Sequence, residues 1–248
     1  MPRLEWLTAR PIAHRGLHDA AAGVIESTAS AFNAAIAGGY GIETDLQSSS
    51  DGEAMVHHDD ALGRLTEGSA RLADMTAAAI KAVRFQRSTD RILTLGELCE
   101  LVGGRVPLLL ELKSRFDGDR RLVQRAAAVL ANYAGPVAVM SFDPALIEAA
   151  RQIAPGLTRG IVAERYYAHY EWDRLPSAEK RRMAHLLHAL RTRPQFIAYS
   201  LRDLPAAAPL IARMLFGRPL LTWTVRSEAD RARARRWADQ IIFEGIRP

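Results

Sequence analysis

The chain has a single cysteine among its 248 residues. No disulfide can therefore close within it, and a cysteine-based zinc site is excluded as well. Cys99 lies in an apolar helical pattern with Leu98, Leu101 and Val102 and reads as a small core side chain. Long hydrophobic runs are also missing. The best stretch, 206–225, contains Arg213 and Arg218, so no membrane-spanning segment is expected. The first residues, MPRLEWLTARPIAHRG, have neither a long apolar stretch nor a small-residue cleavage site, and no signal peptide is expected. These absences together point to a reducing, cytoplasmic setting. There is no dense Lys/Arg tract interleaved with aromatics, so nucleic acid is not the expected partner. There is also no P-loop and no Gly-rich dinucleotide fingerprint.

What is present is an ordinary globular composition, 48% hydrophobic and 25% charged, enough to build one sizeable core. The net charge is +5 and the isoelectric point about 9.7, which favours anionic partners, phosphate esters included. Short apolar runs alternate with amphipathic stretches about eight times along the chain. Strands are expected near 11–13, 40–46, 106–112, 137–140, 158–162, 196–199, 220–225 and 240–243, and helices between most of them. One charged helix is predicted over 178–191, and a further extended piece over 53–58 follows the Asp51-Gly52 turn. Apolar strands that alternate with helices predict a parallel sheet covered on its faces. At this length and count, a closed (β/α)8 TIM barrel is the leading expectation, with an open doubly wound sheet as the alternative. No linker divides the chain, so residues 1–248 are expected to form one domain, with insertions at 60–94 and 163–177.

The stretch 41–59, GIETDLQSSSDGEAMVHHD, stands out. Residues two apart on a strand share a face, so Glu43 and Asp45 project together. Two adjacent carboxylates repel unless a positive charge lies between them. Either they are solvated on an edge strand, or they hold a hard cation such as Mg2+ or Ca2+. Barrel active sites lie at the C-terminal ends of the strands. His14 and Arg15, Glu43 and Asp45, Glu111 and Lys113, and Trp223 all fall at or near such ends.

In order along the chain, these pieces form a set: Ala13-His14-Arg15-Gly16; Glu26-Ser27-Thr28; Gly41 to Leu46; Ser50-Asp51-Gly52 through His58-Asp59; Arg64-Leu65-Thr66; Leu93-Thr94-Leu95 with Glu97; Leu110 to Lys113; and Trp223-Thr224-Val225. The set resembles the glycerophosphodiester phosphodiesterase family, metal-dependent barrel enzymes. The resemblance implies that His14 and His58 are the general acid/base pair. It implies that Glu43, Asp45 and Glu111 hold one divalent cation, Mg2+ or Ca2+, with Mn2+ also compatible. It places Arg15 and Lys113 against the phosphate and Trp223 at the pocket wall. The implied activity is hydrolysis of a small-molecule glycerophosphodiester to sn-glycerol 3-phosphate and an alcohol, within lipid and glycerol metabolism. Two alternatives stay open: a lysophospholipase D-like activity, for which Tyr166, Tyr167, Tyr170 and Trp172 would line a groove, and a barrel that binds phosphodiesters without turnover. Two positions depart from the family pattern: Ser27 stands where asparagine is usual, and Glu244 where aspartate is usual.

Overall fold

The computed structural model describes residues 4–169 and 172–248. Its strands are β1 (Ile12–His14), β2 (Gly41–Ser48), β3 (Ala54–Val56), β4 (Leu108–Leu112), β5 (Val137–Ser141), β6 (Thr158–Ala163), β7 (Phe196–Ser200), β8 (Leu220–Val225) and β9 (Gln240–Phe243). All except β3 run parallel, in the order β1-β9-β8-β7-β6-β5-β4-β2. Ile12 pairs with Gly41 of β2 on one side and with Ile242 of β9 on the other, which closes the ring. The result is an eight-stranded parallel barrel, each of whose strands is paired on both sides. The exception, β3, folds back antiparallel on the end of β2, with Val56 opposite Leu46. Gly52, at φ +84°, makes that reversal without the penalty a side chain would bring.

The helices are α1 (Glu5–Thr8), α2 (Ala29–Ala37), α3 (Ala77–Ala82), α4 (Leu95–Val102), α5 (Arg121–Leu130), α6 (Pro144–Ile153), α7 (Ser177–Ala184), α8 (Ala189–Thr192), α9 (Ala207–Phe216) and α10 (Glu228–Trp237). Their starts follow the sequence chemistry. Thr28, Thr94, Asp143 and Ser227 each accept a first-turn backbone N–H, and Thr94 and Glu97 form a reciprocal capping box. The single helix expected over 178–191 is in fact two, α7 and α8. Leu186 between them takes a left-handed φ of 54° and turns its side chain into the core, 7% exposed. Helix α1 was not anticipated. It brings Leu4, Trp6 and Leu7 against the barrel interior.

Strand alternation decides what fills the barrel. Ile12, Leu109, Ala138, Met140, Val162, Phe196, Ala198, Leu221 and Ile242 form one interior cluster. Each such aliphatic side chain, fully buried, contributes roughly 1.5–3 kcal/mol. Gly160 is required here, because a Cβ at that position would lie 2.3 Å from the Phe196 ring. Counting two residues on from Ile12 and Leu109 along their strands gives His14 and Glu111, again facing inward. Register aligns Glu43 with both His14 and Leu109, and Asp45 with Glu111. The polar residues are therefore the last inward-facing layer before solvent. Residues 60–94 pack around their own small cluster of Leu62, Leu72, Ile80, Phe85 and Ile92, joined to Ile25 and Met55.

Candidate active site

Three carboxylates converge at the C-terminal mouth of the barrel. One oxygen each from Glu43, Asp45 and Glu111 lies within 4.8 Å of the others. All three residues are buried, at 1%, 1% and 8% exposure. Such a group is strongly unfavourable unless cations accompany it. Two basic residues do. Lys113 Nζ lies 2.8 Å from Asp45 Oδ1 and 2.7 Å from Glu111 Oε1. Arg15 Nε is 3.5 Å from Asp45 Oδ2. That oxygen nevertheless has no hydrogen-bond partner among the described residues. Burial, and then the charges of Asp45 and Glu111, push the Glu43 carboxyl well above its usual range. Burial also raises Glu111. It would raise Asp45 too, but Lys113, His58 and Arg15 outweigh it and hold that group below the usual range. Asp45 and Glu111 in turn raise the Lys113 ammonium, against its own burial. All-oxygen donors, closely spaced and short of positive charge, fit a hard divalent cation.

The turn after β1 is built to serve this cluster. Arg15 and Gly16 take consecutive positive φ values of 57° and 79°. A Cβ on Gly16 would come within 2.9 Å of Ala31, so only glycine fits. The reversal turns the Arg15 backbone N–H toward Glu43 Oε2, 3.2 Å away. It also packs against Ser27, whose N–H donates to the Arg15 carbonyl at 2.9 Å. Ser27 itself sits at φ 57° with its hydroxyl 3.1 Å from that of Thr44. Asparagine, the residue that the family resemblance leads one to expect here, is among the few that tolerate this conformation. Serine keeps the turn here through the bond to Thr44, and Thr28 provides the helix cap.

The two histidines come from different segments, His14 from the end of β1 and His58 from just past β3, and each is anchored in the same way. His14 Nδ1 lies 3.1 Å from Glu244 Oε2, and its Nε2 lies 3.8 Å from Glu43 Oε2. His58 Nδ1 lies 2.7 Å from Asp59 Oδ1. An ionised carboxylate can only accept, so in both pairs the proton is on Nδ1. Glu244 is held ionised, chiefly by the bond from His14, with its pKa down to about 2. Each carboxylate is gripped by an arginine as well: Arg226 Nη2 is 2.9 Å from Glu244 Oε2, and Arg64 Nε is 2.6 Å from Asp59 Oδ2. The β3 hairpin delivers His58. His57 N–H donates to the Asp45 carbonyl at 3.1 Å, and Gln47 Nε2 donates to the His58 carbonyl at 2.9 Å. His57 is buried at 3% exposure and takes no part in the cluster.

Trp223 lies in β8, half-buried, and meets Phe142 edge-on with ring centroids 5.6 Å apart. Phe142 in turn contacts Trp172 at 4.7 Å and Tyr167 at 6.3 Å. The groove that the lysophospholipase D-like alternative calls for is not formed by these side chains. Tyr167 and Trp172 are 1% and 8% exposed and pack into the rim with Phe116, Phe142 and Met183 instead of lining an open channel. Tyr166 points to solvent at 69% exposure, and Tyr170 lies outside the described residues. Strand ends in the sequence place His14, Arg15, Glu43, Asp45, Glu111, Lys113 and Trp223 near the mouth, and His58 enters only through the family resemblance. Sequence reading assigned no role to Glu26, Asp59, Arg64 or Arg226, whose ion pairs join distant segments. Of these, Glu26, Asp59 and Arg64 lie within the motif pieces, and that was the only signal pointing to them.

The model of the glycerophosphoryl diester phosphodiesterase family matches residues 14–244. The chain belongs to that family. It is 32% identical over 162 residues to the glycerophosphodiester phosphodiesterase of Caldanaerobacter subterraneus subsp. tengcongensis, a match covering 61% of this chain and 65% of that protein. It is 32% identical over 152 residues to glycerophosphodiester phosphodiesterase 1 of Mus musculus, covering 57% of this chain and 45% of that one. The matches thus span about half to two thirds of the length of these curated relatives. Among solved structures, an Oleispira antarctica phosphodiesterase in complex with the product sn-glycerol-3-phosphate superposes with a TM-score of 0.77 at 21% identity, covering 96% of this chain and 94% of that one. The glycerophosphodiester phosphodiesterase of Thermotoga maritima superposes with a TM-score of 0.70 at 22% identity, covering 94% and 92%. At these identities the two structures establish the shared barrel fold.

Proposed function

We propose that the protein hydrolyses glycerophosphodiesters to sn-glycerol 3-phosphate and an alcohol. The observation that carries this reading is the pair of histidines, each fixed through Nδ1 by a carboxylate, flanking three buried carboxylates at one barrel mouth. Family membership and the names of the matched relatives support it.

A phosphodiester is anionic and repels nucleophiles, so the site must supply positive charge and proton transfer. Glu43, Asp45 and Glu111 would hold the divalent cation, Mg2+, Ca2+ or Mn2+, which would neutralise charge on the non-bridging phosphate oxygens. Arg15 and Lys113 add donors at the same oxygens as charge shifts during the reaction. With Nδ1 engaged, the Nε2 atoms are the ones free to act. His14 Nε2, bearing no proton, takes one from the attacking water or substrate hydroxyl, and His58, entering the step as the imidazolium, delivers its Nε2 proton to the leaving alkoxide; where a substrate hydroxyl attacks first, water then opens the cyclic phosphate. Imidazole suits both tasks, since its ordinary pKa is about 6.5. Trp223 forms the wall on the glycerol side.

The lysophospholipase D-like alternative is the less favoured, since Tyr167 and Trp172 are packed into a cluster of their own and offer no open apolar groove. The convergence of both histidines with all three carboxylates argues against a barrel that only binds. No described helix is long and apolar enough to cross a membrane. A cytoplasmic setting within lipid and glycerol metabolism completes the proposal. Incubation with glycerophosphocholine in the presence of Mg2+, Ca2+ or Mn2+, with enzymatic detection of sn-glycerol 3-phosphate, tests it. Product is expected with at least one metal, and no product with any of them would reject the reading.

A further inference from the structure

Two members of the motif set have no part in the reaction described above: Glu26, ahead of α2, and Arg64, in the loop after His58 and Asp59. They lie 38 residues apart in sequence and meet in the fold. Arg64 Nη1 and Nη2 donate to Glu26 Oε2 and Oε1 at 3.1 and 2.7 Å. Arg64 Nε donates to Asp59 Oδ2 at 2.6 Å, and the other oxygen of Asp59 holds His58. Glu26 Oε1 also accepts from Arg15 Nη1 at 2.7 Å. A continuous chain of charged contacts, Arg15–Glu26–Arg64–Asp59–His58, therefore links a proposed phosphate-binding side chain to a proposed proton donor.

The geometry of this chain is specific. A guanidinium is a rigid planar fork, and this one meets Glu26 with two nitrogens and Asp59 with the third. A carboxylate bonded on one oxygen by arginine and on the other by imidazole has little freedom to rotate. Among the described residues, the only other hydrogen bond of His58 is on its backbone carbonyl, from Gln47. The ring's orientation therefore depends on Asp59, and that of Asp59 on Arg64. Stability alone is a poor explanation for the Asp59 arm. The Arg64 side chain is 45% exposed and that of Asp59 is 24% exposed, and an ion pair this wet contributes little to folding, whereas Glu26, 13% exposed, is the partner through which Arg64 touches stability.

We propose that Arg64 is a positioning residue, acting through Asp59 to keep His58 Nε2 aimed into the site and through Glu26 to keep Arg15 beside the phosphate. This inference rests on the phosphodiesterase reading, and the test separates the two. Wild type, Asp59→Ala, Arg64→Ala and the double variant are compared for kcat and KM on glycerophosphocholine, for Tm, and for the 15N signals of the His58 ring at alkaline pH.

A general acid or base contributes about 10²–10⁴-fold to rate, which bounds the effect. Arg64→Ala is expected to lower kcat on the order of ten-fold at temperatures well below its Tm, with a smaller change in KM and with a fall in Tm no larger than that of Glu26→Gln. Asp59→Ala should cost more. The double variant should lose less than the product of the two single losses, because the Asp59 arm is common to both substitutions and only the Glu26–Arg15 arm is left for Arg64→Ala to disturb. The His58 ring should carry its proton on Nδ1 in wild type and become a tautomer mixture in both single variants. Losses that multiply in the double variant would overturn the inference, as would a kcat loss that tracks a fall in Tm. If wild type turns over no phosphodiester, the functional reading fails and the ring signals decide the positioning role. Signals unchanged by Arg64→Ala overturn that role, and a tautomer mixture in that variant supports it.

Discussion

Lys113 on the β4 side of the barrel mouth reaches Asp45 on β2, with Nζ 2.8 Å from Oδ1. The same ammonium lies 2.7 Å from Glu111 Oε1. It occupies the position where positive charge is most needed, between carboxylates brought level by strand register. A divalent cation held by Glu43, Asp45 and Glu111 must therefore share those oxygens with a resident lysine.

Removing that lysine should separate metal affinity from turnover. Lys113→Gln is expected to bind Mg2+ or Ca2+ at least about ten-fold more tightly, since roughly 1.4 kcal/mol of lost charge repulsion is enough. Its turnover should fall, because a donor to the phosphate is gone. Calorimetric titration of the metal into both proteins checks the first part, and weaker binding by the variant would contradict it.

Truncating either histidine should abolish most catalysis without unfolding the barrel. His14→Ala and His58→Ala are each expected to lower kcat by about 10²–10⁴-fold. Glu244→Gln retains a hydrogen-bonding group beside His14 and should cost less than His14→Ala. Steady-state kinetics beside melting curves decides the matter, and a histidine variant with wild-type kcat would remove that residue from the mechanism.

Glu26 gives a pH signature in stability. Burial alone would raise its pKa, but the bonds from Arg64 and Arg15 overcome this and hold it at about 2, below the ordinary value of 4.5. A depressed carboxylate stabilises the fold fully above its unfolded value and loses that contribution as pH falls through its folded one. The Tm difference between wild type and Glu26→Gln should therefore be constant above about pH 5, shrink from about pH 4.5 downward and be nearly gone near pH 2. A difference that does not change with pH would mean that charge is not its source.

The aromatic rim should restrict substrate size. Trp172→Ala removes a buried ring that contacts Phe142 and Tyr167. The variant is expected to turn over lysophospholipid faster relative to glycerophosphocholine than wild type does. An unchanged ratio would place the acyl-bearing glycerol side of the substrate elsewhere.

Much of this was legible in the sequence, for definable reasons. Parallel barrel strands are buried on both faces, so they read as short apolar runs, and the runs at 220–225 and 240–243 coincide with β8 (Leu220–Val225) and β9 (Gln240–Phe243). His14, Glu43, Asp45 and Glu111 could be placed because strand periodicity and strand ends fix where such residues point. The division of 178–191 into two helices was not legible, because it depends on Leu186 turning toward a core built by other segments. Nor was the burial of Tyr167 and Trp172, since an aromatic-rich insertion can line a groove or fill it with the same residues. The ion pairs of Arg64 and Arg226 depend on approach between segments that no local pattern encodes.

The most direct test is turnover of glycerophosphocholine after exhaustive treatment with EDTA, followed by return of Mg2+, Ca2+ or Mn2+. Three buried carboxylates serving a cation predict that release of sn-glycerol 3-phosphate stops on chelation and resumes on adding back metal. Full activity in excess EDTA would contradict the account.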